Sequence, residues 1–258
     1  MHPPAPDATT RFSNRVADYV RGRPGYPPAL LLCLQRDFAL STQHEIVDVG
    51  SGTGLSAAVF LANGNPVIGV EPNDDMRRAG DDSLAARYPG FRSVRGTAEE
   101  TSLPAASADW IVCAQAFHWF DVAAARTEFR RILRPGGHVA LIWNNRREDT
   151  PFLHGLESLI LRHATDYAAV KHQQARTDGR IERFYQGRMS HRAFDNEQRF
   201  DYDGLLTRVS SSSYLPSRDD GGFAAMEADL RRLFEQHVEQ DGRVAILYET
   251  ELFVGRLD

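Results

Sequence analysis

Cysteine is scarce. The chain has 2 in 258 residues, Cys33 and Cys113. They show neither the spacing of a zinc knuckle nor that of a redox pair. A disulfide-stapled scaffold would carry more, so a reducing compartment, the cytoplasm, is expected. Positive charge is not in excess either: 30 Lys and Arg face 35 Asp and Glu, a net charge of −5. That argues against a broad basic face gripping nucleic acid. The chain also lacks the Asn/Asp-Pro-Pro-aromatic run that stacks on flipped bases. No apolar run approaches the roughly 18 residues of a membrane helix. Residues 1–10 hold three prolines and no apolar segment, and read as a loose tail and not a signal peptide. What remains is globular composition, 42% hydrophobic and 25% charged. The length suits one large domain, or one domain with a cap.

The first half alternates between strand and helix patterns. Pro28 starts a helix over Ala29 to Phe38. Ile46 to Val49 is a short apolar run, followed by the glycine-rich turn Gly50 to Gly54 and a helical stretch, Leu55 to Ala62. Pro66 to Val70 is a second strand ending in Glu71, Asn73 caps a helix to about Tyr88, and Phe91 to Val94 is a third strand. Asp109 to Ala114 is a fourth, with a helix through Phe129 to Leu133 after it. The break Pro135-Gly136-Gly137 precedes a fifth strand, His138 to Trp143. This alternation predicts an α/β fold with a doubly wound sheet and a ligand at the C-terminal strand ends. The second half is less regular. Pro151 to about Arg188 reads as a polar helical cap. His191 to Phe200 reads as a strand, and Tyr202 to Val209 and Asp219 to Val238 as helices. Val244 to Val254 is a long β-forming run after the Asp241-Gly242 turn, placed antiparallel to the rest.

The chemistry concentrates at the strand ends. In Asp48-Val49-Gly50-Ser51-Gly52-Thr53-Gly54, bare backbone invites a close ligand. The spacing is not that of a dinucleotide site, because Leu55 stands where the last small residue belongs. Asp48 beside the turn repels phosphate and attracts an ammonium. Glu71 suits a vicinal diol, a feature that does not by itself separate nicotinamide from adenosylmethionine. Phe117-His118-Trp119-Phe120 sets aromatics and a histidine where the fourth strand ends. Aromatic faces attract cations, and His118 reads equally as a base or as a histidine that positions its loop. Trp143 and Asn144 are expected at the substrate, with Arg146 and Arg147 solvated. His154, His163 and His172 lie nine apart and share no helical face, so no metal site is expected.

These motifs resemble class I S-adenosylmethionine-dependent methyltransferases. The resemblance rests on Glu45 to Gly54, Glu71 to Met76, Gly96 to Pro104 and Arg134 to Gly137. Ala114 to Asp121, Phe12…Tyr19…Arg23 to Pro27, Ser211 to Pro216 and Tyr248 to Thr250 are similar to the small-molecule branch that includes trans-aconitate methyltransferase-like proteins. The resemblance implies a Rossmann-like sheet of seven strands, the last antiparallel. It implies a single methyltransferase domain over 1–258, with core 40–148 and 190–258 and a helical cap from 1–39 and 149–189. The implied cofactor is S-adenosyl-L-methionine, leaving as S-adenosyl-L-homocysteine. Asp48, Gly50, Gly52 and Gly54 are then expected around its methionine part, Glu71 at the ribose, Met76 on adenine, Ala98 and Glu99 at the adenine edge, and Gln115 near the sulfonium. Tyr19 and Arg23 are expected to fold over the cofactor, with Arg23 pairing to a carboxylate. Phe117, His118, Trp119, Trp143 and Asn144 are expected at the substrate, with His118 and then Tyr19 as the base. The expected partner is a small-molecule substrate, a carboxylic acid among the candidates, with neither nucleic acid nor membrane. The rival expectations are a non-catalytic cofactor-binding regulator and a nicotinamide-dependent oxidoreductase.

Overall fold

The computed structural model describes residues 22–165, 167, 179–212 and 214–257. Seven strands form one sheet in the order β3-β2-β1-β4-β5-β7-β6. They are β1 (Ile46–Val49), β2 (Val67–Val70), β3 (Phe91–Val94), β4 (Ala108–Ala114), β5 (Leu133–Arg146), β6 (Met189–Phe200) and β7 (Val244–Gly255). The first five pair in parallel. Strand β7 runs antiparallel between β5 and β6, as the resemblance implies. No described helix is long and apolar enough to cross a membrane.

Side chains alternate across this sheet with a period of two, and each face buries its own set. Ile46, Val67, Trp110, Val112, Ala140 and Ile142 pack under α1 (Pro28–Phe38) and α2 (Leu55–Ala62). Val47, Val49, Ile111, Cys113, Val139 and Leu141 pack under α4 (Val122–Ile132) and α6 (Arg180–Tyr185). Between α2 and α4 lies α3 (Asp74–Leu84). Asn73 Oδ1 caps it by accepting the Asp75 and Met76 N–H groups, each at 3.0 Å. A third apolar cluster joins α5 (Pro151–His163), α7 (Tyr202–Ser210) and α8 (Phe223–His237) to Val244, Ile246 and Tyr248 of β7.

Five local expectations change. Helix α3 stops at Leu84 and not near Tyr88, and the chain leaves it through a turn in which the Arg87 and Tyr88 N–H groups both donate to Leu84 O. Strand β5 starts at Leu133, since Pro135 to Gly137 are absorbed as a register shift opposite Ala108 to Trp110. Gly137 makes this fit, as a Cβ there would lie 2.9 Å from Asp109 O. Helix α5 is not a polar cap surface: it buries Phe152, Leu153, Leu156, Leu159 and Ile160. Helix α6 ends at Tyr185, where Gln186 and Gly187 take left-handed backbone, and β6 begins at Met189. Residues 28–38, expected in the cap, place Leu30, Cys33 and Leu34 in the core beside Ile46, Phe60 and Trp110.

Candidate functional site

The C-terminal ends of β1, β2 and β4 meet at the glycine turn. Gly50 N–H and Ser51 N–H both donate to Val70 O, at 2.9 and 3.2 Å, which locks the turn onto β2. Gly50, Gly52 and Gly54 all have positive φ, at 70°, 55° and 85°. Their surroundings differ. A Cβ on Gly50 would lie 2.5 Å from Ala116 Cβ, and one on Gly54 2.3 Å from Leu84 Cδ1. These two glycines let other elements close onto the turn. At Gly52 the one near atom is Met76 Cε at 3.4 Å, so this backbone is the part a ligand can approach.

Glu71 ends β2 and turns back to that backbone. Its Oε2 accepts Gly52 N–H at 2.8 Å and its Oε1 accepts Asn73 N–H at 2.9 Å. The residue is 7% exposed. Burial raises its pKa, opposed by the two amide bonds. A carboxylate offers about four lone-pair sites, so two stay available after these bonds. Asp48 is 0% exposed and lies beneath the turn, on the α2 side of the sheet. Its Oδ2 accepts from Ser56 Oγ at 2.6 Å. Burial raises its pKa to about 7, against hydrogen bonds from Ser56 and the Ala57 backbone. It therefore faces the site by its charge and not by an open surface.

Met76 is buried on the first turn of α3 and lies over Gly52. Ala98 packs in the same cluster as Val49 and Val70. The Glu99 carboxylate is engaged: Oε1 accepts Asp121 N–H at 2.9 Å. Gln115 has positive φ, 58°, with its N–H donating to Ile142 O and its Nε2 to Asn144 O at 3.3 Å. His118 lies on the 3-10 turn Phe117–Trp119, its ring 4.8 Å from Trp119 and its carbonyl accepting from Arg180 Nη1.

Several expected contacts are redirected. Phe117, expected at the substrate, is core: its ring meets Phe120, Trp143 and Phe184 edge to face. Asn144, expected at the substrate, is a clasp. Its Nδ2 donates to Gly25 O at 3.1 Å, while its Oδ1 accepts from Thr250 Oγ1 at 2.5 Å and Asn196 Nδ2 at 3.2 Å. Arg146, expected in solvent, is bound to the Glu157 carboxylate on α5, and Tyr167 donates to the same carboxylate. Arg147 is partly exposed and pairs with Asp149. Trp143 is 4% exposed, and its Nε1–H has no hydrogen-bond partner among the described residues. Arg23 Nη2 donates to Ser211 O at 3.2 Å. Tyr19 and His172 lie outside the described residues. Among the described residues no His, Cys, Asp and Glu group could hold a metal ion.

Sequence reasoning missed the groups whose partners lie far along the chain. Arg208 on α7 is 8% exposed, with Nε donating to Tyr248 Oη at 3.1 Å and Nη1 to Ser211 and Ser212 Oγ at 3.5 Å. Glu128 on α4 holds the loop before β4 through Thr101. Neither pairing follows a spacing rule that could have exposed it.

The site fits an adenosylmethionine-type ligand. Gly52 supplies a bare, left-handed cradle that a Cβ would alter, Glu71 supplies free lone pairs for a diol, and Thr53 Oγ1 is buried without a hydrogen-bond partner among the described residues. Residues 47–141 match the methyltransferase domain family. A methyltransferase of Mycobacterium tuberculosis, Rv3342, is 37% identical over 157 residues, 60% of this chain and 61% of that relative. C25B8.09, a methyltransferase of Schizosaccharomyces pombe, is 31% identical over 150 residues, 58% of each chain. The match thus spans under two thirds of the length of either relative. The solved structure of YcgJ from Bacillus subtilis covers 88% of this chain and 96% of its own, at 21% identity and TM-score 0.55, a likeness of fold. Residues 47–141, which carry the glycine turn, Glu71 and Met76, are thus similar to a methyltransferase domain, and the cofactor that this similarity supports is S-adenosylmethionine.

Proposed function

We propose that the chain is a methyltransferase that moves the methyl group of S-adenosylmethionine to a small molecule by in-line displacement. The observation that carries this reading is the Glu71 carboxylate seated on the Gly52 amide, an acid and a bare backbone preset side by side. When bound, the cofactor supplies a methyl group on a cationic sulfur with a good leaving group. The chain's work is then placement. Glu71 accepts from the two ribose hydroxyls, Met76 offers a soft apolar face to adenine, and Ala98 with its neighbouring backbone borders the adenine edge. Gly52 admits the methionine portion, and Asp48 attracts its ammonium from beneath the turn. Gln115 and the aromatic turn carrying His118 and Trp119 face the reacting end.

The acceptor's chemistry decides whether a proton must move. A carboxylate acceptor needs no base. An alcohol, phenol or ammonium needs one, and His118 holds that role, with Tyr19 second. Unchanged turnover of a His118→Ala variant on the true substrate would remove it. Trp143 borders the same strand ends. A reducing cytoplasmic setting fits the two free, buried thiols.

Calorimetry with S-adenosylhomocysteine tests the cofactor site, and mass-shift screening of metabolite extracts with methyl-labelled S-adenosylmethionine tests the transfer. Binding together with one labelled product is expected. No heat with S-adenosylhomocysteine refutes the reading. Tight binding without a labelled product favours a cofactor-binding regulator instead.

A further inference from the structure

The loop between β3 and β4 is clamped to helix α4 by a buried carboxylate that the steps above do not use. Glu128 Oε1 accepts Thr101 N–H at 2.9 Å and the Thr101 hydroxyl at 2.5 Å. Only 9% of the Glu128 side chain is exposed. One turn on, Arg131 Nε donates to Glu128 Oε2 and its Nη2 to Oε1, both at 2.7 Å. The same Nη2 donates to Leu103 O at 2.8 Å. One Arg-Glu pair therefore grips the loop at two points. The loop is also closed on itself, because a Cβ on Gly96 would lie 2.8 Å from Thr101 O. Between these anchors sit Ala98 and Glu99.

Glu99 extends the clamp. Its carboxylate accepts Asp121 N–H at 2.9 Å, and Asp121 Oδ1 caps α4 by accepting the Ala123 and Ala124 N–H groups at 3.0 Å. The loop is thus tied to α4 both at the helix start and near its middle. Asp121 directly follows the Phe117 to Phe120 segment that carries His118.

Resting on the methyltransferase reading above, we infer that Glu128 is a positioning residue for the cofactor's adenine. Through Thr101 it sets the backbone of Ala98 and Glu99 against the adenine edge. Through Glu99 and Asp121 the same strut carries that placement to the His118 turn. A loop ordered by charge-assisted hydrogen bonds in the free protein does not have to be ordered when the ligand arrives, so the strut acts on affinity.

The test compares the Kd of S-adenosylhomocysteine, by calorimetry well below every Tm, for wild type, Glu128→Gln, Thr101→Val and Thr101→Ser. Glu128→Gln and Thr101→Val are each expected to weaken binding about tenfold. The same factor is expected for 5′-methylthioadenosine, which lacks the amino-acid end, because the loss sits at the adenine half. Thr101→Ser keeps the hydroxyl and is expected to bind like wild type. Wild-type affinity in Glu128→Gln and Thr101→Val with only a lower Tm overturns the inference, since the clamp is then structural alone. A Thr101→Ser variant as weak as Thr101→Val also overturns it. Failure of the wild-type chain to bind S-adenosylhomocysteine overturns the cofactor reading, and this inference with it.

Discussion

Glu71 Oε2 accepts the Gly52 N–H at 2.8 Å across 19 positions of sequence. The end of one strand thereby shapes the turn after another, and the site is set before a ligand arrives. Replacing Glu71 by Ala removes the acceptor of the ligand's hydroxyls and the partner of Gly52 together. The expected result is a roughly hundredfold rise in the Kd of S-adenosylhomocysteine, from the loss of two charged hydrogen bonds. Glu71→Gln keeps an oxygen for one of them and is expected to fall between. Equal affinity for wild type and Glu71→Ala by calorimetry would place the ligand elsewhere.

The glycines of the turn are expected to separate folding from binding. Gly50→Ala meets Ala116 Cβ at 2.5 Å and carries strained φ, so a stability loss of about 2–4 kcal/mol is expected. Gly52→Ala meets only the flexible end of Met76 and costs about 1–2 kcal/mol through φ alone. Its larger effect falls on cofactor affinity. Denaturant melts paired with calorimetry read both quantities, and identical profiles for the two variants would refute the division.

Asp48 makes stability depend on pH. Its folded pKa, about 7, lies above the ordinary aspartate value of 3.8. The folded chain therefore holds this proton more tightly, and stability falls as pH rises from about 4 through about 7, by roughly 4 kcal/mol at most. Asp48→Asn retains an oxygen for the Ser56 hydroxyl and removes the titration. The variant is expected to be more stable than wild type at pH 8 and to bind S-adenosylhomocysteine more weakly. Thermal melts at pH 5 and pH 8 check this, and an unchanged pH slope in the variant would contradict it.

The Arg146 and Glu157 pair joins the end of β5 to α5, with both side chains largely buried. Arg146→Met strands a buried carboxylate, and a loss of about 3–5 kcal/mol is expected. Adding Glu157→Leu is expected to recover part of it, because no unpaired charge is left. A double-mutant cycle in urea measures the coupling, and strictly additive losses would show that the pair is not coupled.

Much of the cofactor half was legible in the sequence. Strands β1 and β2, the turn between β1 and α2, and the Asn73 cap depend on neighbours a few residues apart, where apolar period, positive φ and side-chain caps leave a local signature. The acceptor half was less legible. Phe117 and Asn144 sit at strand ends beside chemistry-bearing residues, and nothing local separates a core ring or a clasp from a substrate contact. Their partners decide it: Phe184 for one, Gly25, Asn196 and Thr250 for the other. Arg146 reads as a surface charge until α5 brings Glu157 under it.

The sequence by itself determined the succession of strands and helices, the acid-flanked glycine turn and the acid that closes the second strand. Those features follow from backbone freedom and hydrophobic period, which act over a few residues. Only the tertiary structure decided which glycine lies open, which carboxylates are already bonded, and which arginines leave solvent. These choices depend on sheet register and helix packing, which bring together groups such as the Asn144 side chain and the Gly25 carbonyl, 119 positions apart.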